Sequence, residues 1–153
     1  MFKLETHLHT SEGSSCAKIN GYSQAKLYKE AGYDGIIVTD HFFRGNSCIP
    51  KDLPWETRID LFCMGYEHAK QYGDKAGLKV FFGNEETYNG IDFLIYGIDK
   101  EWMINHPEME FYTIEEQYNS IKKAGGMVIH AHPFRKRTYI PQIKIFPKYV
   151  DGV

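Results

Sequence analysis

Gly35-Ile36-Ile37-Val38-Thr39-Asp40-His41 decides the architecture. Its first four residues are apolar on both faces of an extended chain, the mark of a strand covered on two sides, as in a parallel sheet flanked by helices. Its last residues place an acid and an imidazole where that strand ends. Upstream, Phe2–His9 reads as another strand, and Tyr22, Ala25, Tyr28 and Ala31 recur at helical spacing until Gly32 offers a C-cap. Downstream, residues 42–55 hold Gly45, Pro50 and Pro54, a loop long enough to suggest function. Ile59, Phe62, Tyr66 and Ala69 then form a helical stripe that stops near Gly73 or Gly77. Leu78–Phe82 and Phe93–Tyr96 are two more β-rich runs. Thr113 with Glu116 forms a capping box ahead of Ile114, Tyr118 and Ile121, and Gly125-Gly126 ends that helix. Met127-Val128-Ile129 makes a fifth strand, closed by Pro133, and Tyr149-Val150 begins a sixth. This alternation predicts an α/β fold with a mostly parallel sheet and outer helices, in one domain over residues 1–153.

Composition narrows the function classes. The chain has 153 residues, is 42% hydrophobic and 25% charged, and carries a formal net charge of −2 from 18 basic and 20 acidic residues. No general positive field exists, so long nucleic acid and anionic membrane surfaces are not expected partners. Apolar runs fall far short of the roughly 20 residues that span a bilayer, and Met1-Phe2-Lys3-Leu4-Glu5-Thr6-His7 lacks a signal peptide's apolar region. The cytoplasm is the expected compartment. Cys16, Cys48 and Cys63 are odd in number and widely spaced, so they are read as reduced thiols rather than a disulfide framework or a thiolate zinc site. Cys16 in particular is read as a small buried thiol, since no base adjoins it to make a nucleophile.

The polar clusters gather at the strand ends. His7-Leu8-His9 ends the first strand, Thr39-Asp40-His41 the second, Asn84-Glu85-Glu86 the third and His130-Ala131-His132-Pro133 the fifth. In parallel α/β sheets and barrels those ends share one face, where active sites are built. Residues two apart on a strand point the same way, so His7 and His9, and equally His130 and His132, can turn both imidazoles to one ion. Imidazole and carboxylate without thiolate suit zinc, manganese or iron, and a carboxylate between two ions can bridge them. Each cluster also has a structural reading. A single strand-end His is commonly a hydrogen-bonded structural residue, but four such placements in one chain favour the metal. Strand parity does not choose between Glu85 and Glu86. Asp40 is read as orienting the His41 ring, with a loop cap as the alternative. His68 and His106 are read as surface residues.

The four motifs His7-Leu8-His9-Thr10, Thr39-Asp40-His41, Gly83-Asn84-Glu85 and Ala131-His132-Pro133, in that order, resemble the PHP (polymerase and histidinol phosphatase) family over the whole chain. The resemblance implies a distorted (β/α)7 TIM-like barrel whose C-terminal face holds up to three divalent metal ions and hydrolyses phosphoesters. It implies that His7 and His9 hold a first metal, that Glu85 bridges to a second, that His132 is a ligand of that second metal, and that His41 is a ligand of a third. Glu12 aligns with an acidic or His ligand that follows the first motif, if two residues are deleted. Asp92 stands where the family usually has His, a harder and anionic ligand that moves preference toward manganese or iron. His130 has no counterpart and is read as supporting the ligands. Arg135 sits where a guanidinium can clamp a phosphate, with an exposed ion pair as the alternative.

The family continues beyond this length and ends in an Asp-x-His motif that this chain lacks; a full barrel of this kind takes about 250 residues. The expectation is therefore a PHP-type barrel lacking its last part, whose open edge favours a homo-oligomer. The expected activity is hydrolysis of a small phosphorylated substrate, a phosphomonoester or short nucleotide, through two or three zinc, manganese or iron ions. His41 or His132 would supply the proton and Arg135 or Lys136 would steady the transition-state charge. The alternatives are a metal-binding remnant without turnover and, ranked lower, an amidohydrolase, which also opens with His-x-His but calls for a strand-end lysine not found here.

Overall fold

A computed structural model describes residues 1–140 and 142–153. Five strands form one sheet in the order of the chain: β1 (Leu4–Leu8), β2 (Gly35–Val38), β3 (Lys79–Tyr88), β4 (Ile91–Tyr96) and β5 (Met127–His130). The helices are α1 (Gly21–Glu30), α2 (Trp55–Ala76), the short α3 (Lys100–Ile104), a 3₁₀ turn over Pro107–Phe111, and α4 (Ile114–Lys123). The strand at Gly35–Val38, the Thr113–Glu116 capping box and the helix stop at Gly77, which is left-handed with φ 69°, all follow the sequence reading. The α3 and 3₁₀ segments do not, being too short to show a periodicity.

The sheet is mixed, which corrects the expectation of parallel strands. β1, β2 and β3 are parallel, but β4 is antiparallel to both β3 and β5. The cause is local. Asn89 and Gly90, with φ 52° and 82°, make a two-residue turn that pairs Tyr88 directly with Ile91, the positive-φ geometry that Asn-Gly favours between strands. β3 consequently runs on to Tyr88, and Asn84-Glu85-Glu86 lie inside it rather than at its end. The result is a five-stranded half-barrel with outer helices, not a closed (β/α)7 barrel. Beyond β5, an isolated bridge joins Gly152 to Ile129 in parallel and the Asp151 N–H donates to the Val128 carbonyl at 2.7 Å, but Tyr149 and Val150, expected to begin a sixth strand, lie in no strand, the Tyr149 N–H turning back to the Phe146 carbonyl at 3.0 Å.

Two apolar clusters hold these layers. Leu8, Ile36, Val38 and Leu78 of the sheet region pack with Ala25 of α1 and Ala69 of α2. α1 and α2 touch at glycines: a Cβ on Gly21 would collide with the Gly65 carbonyl oxygen. The larger cluster packs Phe42, Phe43 and Phe62 against Phe93, Ile95, Met103, Ile121 and Val128. No helix among the described residues is long and apolar enough to cross a membrane.

Candidate metal centre

The rim is assembled from three strand ends, the interior of β3 and one strand start. Because β4 runs the other way, its early residue Asp92 arrives at the same edge as the ends of β1, β2 and β5. Glu85 is held at the centre by backbone: its N–H donates to the Asp40 carbonyl at 2.9 Å, and the Glu85 carbonyl accepts from the Phe42 N–H at 2.8 Å. That pairing sets His41 beside it.

Glu85 is 1% exposed, and four imidazoles crowd its carboxylate. Oε1 faces His7 Nε2 at 3.2 Å and His132 Nε2 at 3.4 Å, while Oε2 faces His41 Nδ1 at 2.9 Å and His9 Nε2 at 3.3 Å. None of these contacts has hydrogen-bond geometry, so both oxygens and His41 Nδ1 are buried without a partner. Burial alone would raise the Glu85 carboxyl, but the surrounding imidazoles of His132, His41 and His7 hold it well below the usual carboxylate range. His9 is pushed down to about 4 by burial and by the other imidazoles, against the pull of Glu85. His9 is therefore neutral at neutral pH, with one ring nitrogen a lone pair.

The neighbouring groups indicate which nitrogen that is. Asp40 accepts from the Thr10 N–H, the Thr10 hydroxyl and the Ser14 hydroxyl, each at 2.6 Å. With its proton committed there, Ser14 Oγ accepts from the His41 N–H at 2.9 Å and from His9 Nδ1 at 3.2 Å. His9 thus carries its proton on Nδ1 and turns the Nε2 lone pair toward a carboxylate oxygen. That lone pair also lies 3.1 Å from His7 Nε2, and a cation among these nitrogens and the Glu85 oxygens would relieve the repulsion between facing acceptors. The donor set fits a divalent cation. Asp40 does not touch the His41 ring, contrary to the orienting role expected of it. It fixes the loop after β1 and acts on His9 through Ser14, and burial pushes its own carboxyl up to about 6 despite the Ser14 and Thr10 donors.

His7, His9, His41, Glu85 and His132 are brought together, and Asp92 joins them, its Oδ2 3.8 Å from His132 Nε2 and 3.3 Å from Arg135 Nη1. Arg135 also donates to the Tyr139 hydroxyl at 2.9 Å. Glu12 is not brought in. Its carboxylate accepts from the Gly21 N–H at the start of α1 and contacts His68 Nδ1 at 2.8 Å, because the loop after β1 turns residue 12 toward α2. His68, 44% exposed, is a surface residue as expected, and it pairs with Glu12. Nor does His130 turn toward the cluster beside His132. Strand pairing ends at His130, which is buried and stacked on Phe93 with centroids 5.0 Å apart, and His132 lies past the strand with a left-handed φ of 33°. Glu86 faces away from the cluster and pairs with Arg44 at 3.1 Å; burial pushes its carboxyl up to about 7 against that guanidinium.

The sequence reading missed three contributors. Ser14 and Arg44 show no pattern that single-residue inspection could separate from ordinary loop residues. Cys16 is exposed, not buried, and its thiol forms a candidate ligand group with His9 and His41, their ligand atoms within 4.8 Å of one another; His7, Glu85 and His132 form a second such group. These residues line a cavity of about 610 Å³ that also takes in Arg44, Asp92, Arg135 and Tyr139.

No family model and no curated protein matches this sequence. Solved structures do. One is a two-domain protein from Bacteroides vulgatus containing a predicted PHP-like metal-dependent phosphoesterase, 16% identical with a TM-score of 0.68 over 97% of this chain. Another, from Bifidobacterium adolescentis, is assigned by prediction as a metal-dependent phosphoesterase, at 14% identity and a TM-score of 0.60 over 99% of this chain. A third is an amidohydrolase from Chromobacterium violaceum with bound sulfate and no metal, at 13% identity and a TM-score of 0.55 over 90%. This chain spans 40%, 76% and 70% of those chains respectively. At these identities the likeness concerns the fold, which is shared with PHP-like and amidohydrolase-type structures.

Proposed function

We propose that this protein is a metal-dependent phosphoester hydrolase acting on small phosphorylated substrates, phosphomonoesters or short nucleotides, with two or three zinc, manganese or iron ions per chain. One observation carries the reading: a buried carboxylate without hydrogen-bond partners stands among four imidazoles, two on each oxygen. The descriptions of two fold neighbours as phosphoesterases support it. The cations would offset phosphoryl charge and acidify a water so that hydroxide is available near neutral pH.

The protein's own groups account for the remainder. Arg135 stands at the cavity's rim with a guanidinium that can exchange the Asp92 carboxylate for a phosphate oxygen. His132 is 33% exposed against 13% for His41, so it is the imidazole that a leaving-group oxygen reaches and the better proton donor of the pair. A cavity of about 610 Å³ lies within the roughly 300–1,000 Å³ range of small-ligand sites, which favours a small substrate over long nucleic acid. No lysine lines it, which weighs against amidohydrolase chemistry built on a modified lysine.

The test pairs elemental analysis of protein purified without added metal with p-nitrophenyl phosphate hydrolysis before and after manganese addition. Bound metal with turnover, both abolished in Glu85→Gln and His9→Ala, is the expected result. Metal without turnover would establish the non-catalytic remnant instead, and absence of metal under all loading conditions would end the reading.

A further inference from the structure

The two oxygens of Glu85 divide the cluster in two, and the halves differ in chemistry. Oε1 faces His7 and His132, with the hard carboxylate of Asp92 beyond. Oε2 faces His9 and His41, and the third group on that side is the thiol of Cys16. We propose that Cys16 supplies a thiolate ligand to a cation held by His9, His41 and Glu85 Oε2, giving a zinc-selective site beside a harder one. The proposal deepens the metal-centre reading above and rests on it.

The thiol does not stand alone. Glu85 is 1% exposed and aims a partnerless Oε2 at this point, 2.9 Å from a His41 Nδ1 that is likewise buried and partnerless. The Ser14 contact leaves His9 Nε2 as a lone pair on the same side. The ligand atoms of His9, His41 and Cys16 lie within 4.8 Å of one another, and Glu85 Oε2 adjoins both imidazoles, 3.3 Å from His9 Nε2 and 2.9 Å from His41 Nδ1, so a cation among them could complete the four donors that zinc prefers. The loop carrying Cys16 is strapped in place. Ser14 bridges Ser47, the Ser15 N–H donates to the Asn46 carbonyl at 2.9 Å, and the Ala17 N–H donates to the Ser14 carbonyl at 3.1 Å. Cys16 on this loop lines the cavity beside His9 and His41. The other thiols have different surroundings: Cys48 Sγ contacts the Glu12 carbonyl at 3.0 Å, and Cys63 is buried in the core. A thiolate favours zinc, cobalt or ferrous iron over manganese and magnesium, whereas the Asp92 side tolerates the harder ions. The centre is thus asymmetric, with metal preference set on one side by a single sulfur.

Cobalt(II) reports on both levels of the argument. Metal-free protein titrated with cobalt should develop visible d–d bands and, with them, a sulfur-to-cobalt charge-transfer band in the near ultraviolet. In Cys16→Ser the charge-transfer band should vanish while d–d absorption from the His7–Glu85–His132 side persists; in Cys48→Ser both should remain. In the wild-type protein, zinc should slow alkylation of Cys16 by about tenfold or more, read by peptide mass, and leave Cys48 unchanged. A charge-transfer band absent from wild type, surviving in Cys16→Ser or lost in Cys48→Ser would overturn the proposal, as would alkylation of Cys16 at one rate with and without zinc. Absence of d–d bands would instead bring down the metal-centre reading itself.

Discussion

Ser14→Ala is the most informative single substitution because one hydroxyl serves three groups. Ser14 is 1% exposed; it donates to Asp40 Oδ1 at 2.6 Å and accepts from the His41 N–H at 2.9 Å and from His9 Nδ1 at 3.2 Å. Removing the oxygen takes a charge-assisted bond from a buried carboxylate, about 2 kcal/mol, and strips the acceptor from the His41 amide, about 1 kcal/mol. The His9 ring, 22% exposed, can turn to water instead. The metal-free protein should lose about 3 kcal/mol, which lowers the urea midpoint by roughly 1–3 M at an m-value of roughly 1–3 kcal/mol/M. The metal consequence is separate. Without the Ser14 acceptor nothing keeps the His9 proton on Nδ1, so zinc affinity should fall about 10–100-fold, the usual effect of removing a group that orients a histidine ligand. Chelator competition measures the affinity, and long-range ¹⁵N–¹H spectra of the imidazoles read the tautomer directly. Ser15→Ala, whose exposed hydroxyl bonds only the Ser47 carbonyl at 3.2 Å, is the control and should stay within about 0.5 kcal/mol. If Ser14→Ala binds zinc as tightly as wild type, or His9 carries its proton on Nε2 in the parent, the Asp40–Ser14–His9 relay is wrong.

Two further substitutions probe points where structure and sequence expectation part. Glu12→Gln should leave the number of metals per chain unchanged and cost about 1 kcal/mol through the weakened contact at the start of α1, measured by elemental analysis and urea unfolding; loss of a metal would restore Glu12 as a ligand. Gly90→Ala should destabilise by about 1 kcal/mol or more in thermal or urea unfolding, since φ is 82° and the new Cβ would stand 3.3 Å from Tyr139; an unchanged protein would argue against the tight β3–β4 turn.

The parts of the site that could be read from the sequence are those fixed by short-range rules. His7 lies in β1 and His9 one residue past its end, but the chain stays extended enough there that the two-residue period holds and both reach Glu85. The same rule failed at His130 and His132 because it holds only while the chain remains a strand: pairing ends at His130, and the left-handed turn at His132 redirects the second imidazole. Glu85 and Glu86 could not be separated because both faces of β3 carry polar partners, the histidines on one side and Arg44 on the other, and Arg44 lies 42 residues from its carboxylate. Cys16 was misjudged for a related reason. A cysteine's burial depends on what the loop is tied to, and here the tie is to residues 46 and 47, which no local pattern announces.

The sequence reading passed over the reversed strand, because its β-rich runs stopped at Phe82 and resumed at Phe93 and left Asn89-Gly90, a hairpin dipeptide, in the gap between them. The reversal's consequence for the site is larger than a change of topology. Were β4 parallel, crossing back over the sheet before pairing, Asp92 would open the strand at the far rim, roughly six residues and about 20 Å from the histidines. The tight turn instead delivers Asp92 to the cluster five residues after Thr87, whose hydroxyl holds its Oδ1 at 2.7 Å and leaves Oδ2 to His132 and Arg135. The oxygen-rich half of the centre therefore owes its acid to a two-residue turn. The sulfur side owes its ligand to the strapped loop after β1, so two local connections, rather than the sheet as a whole, set the chemical difference between the two sides of Glu85.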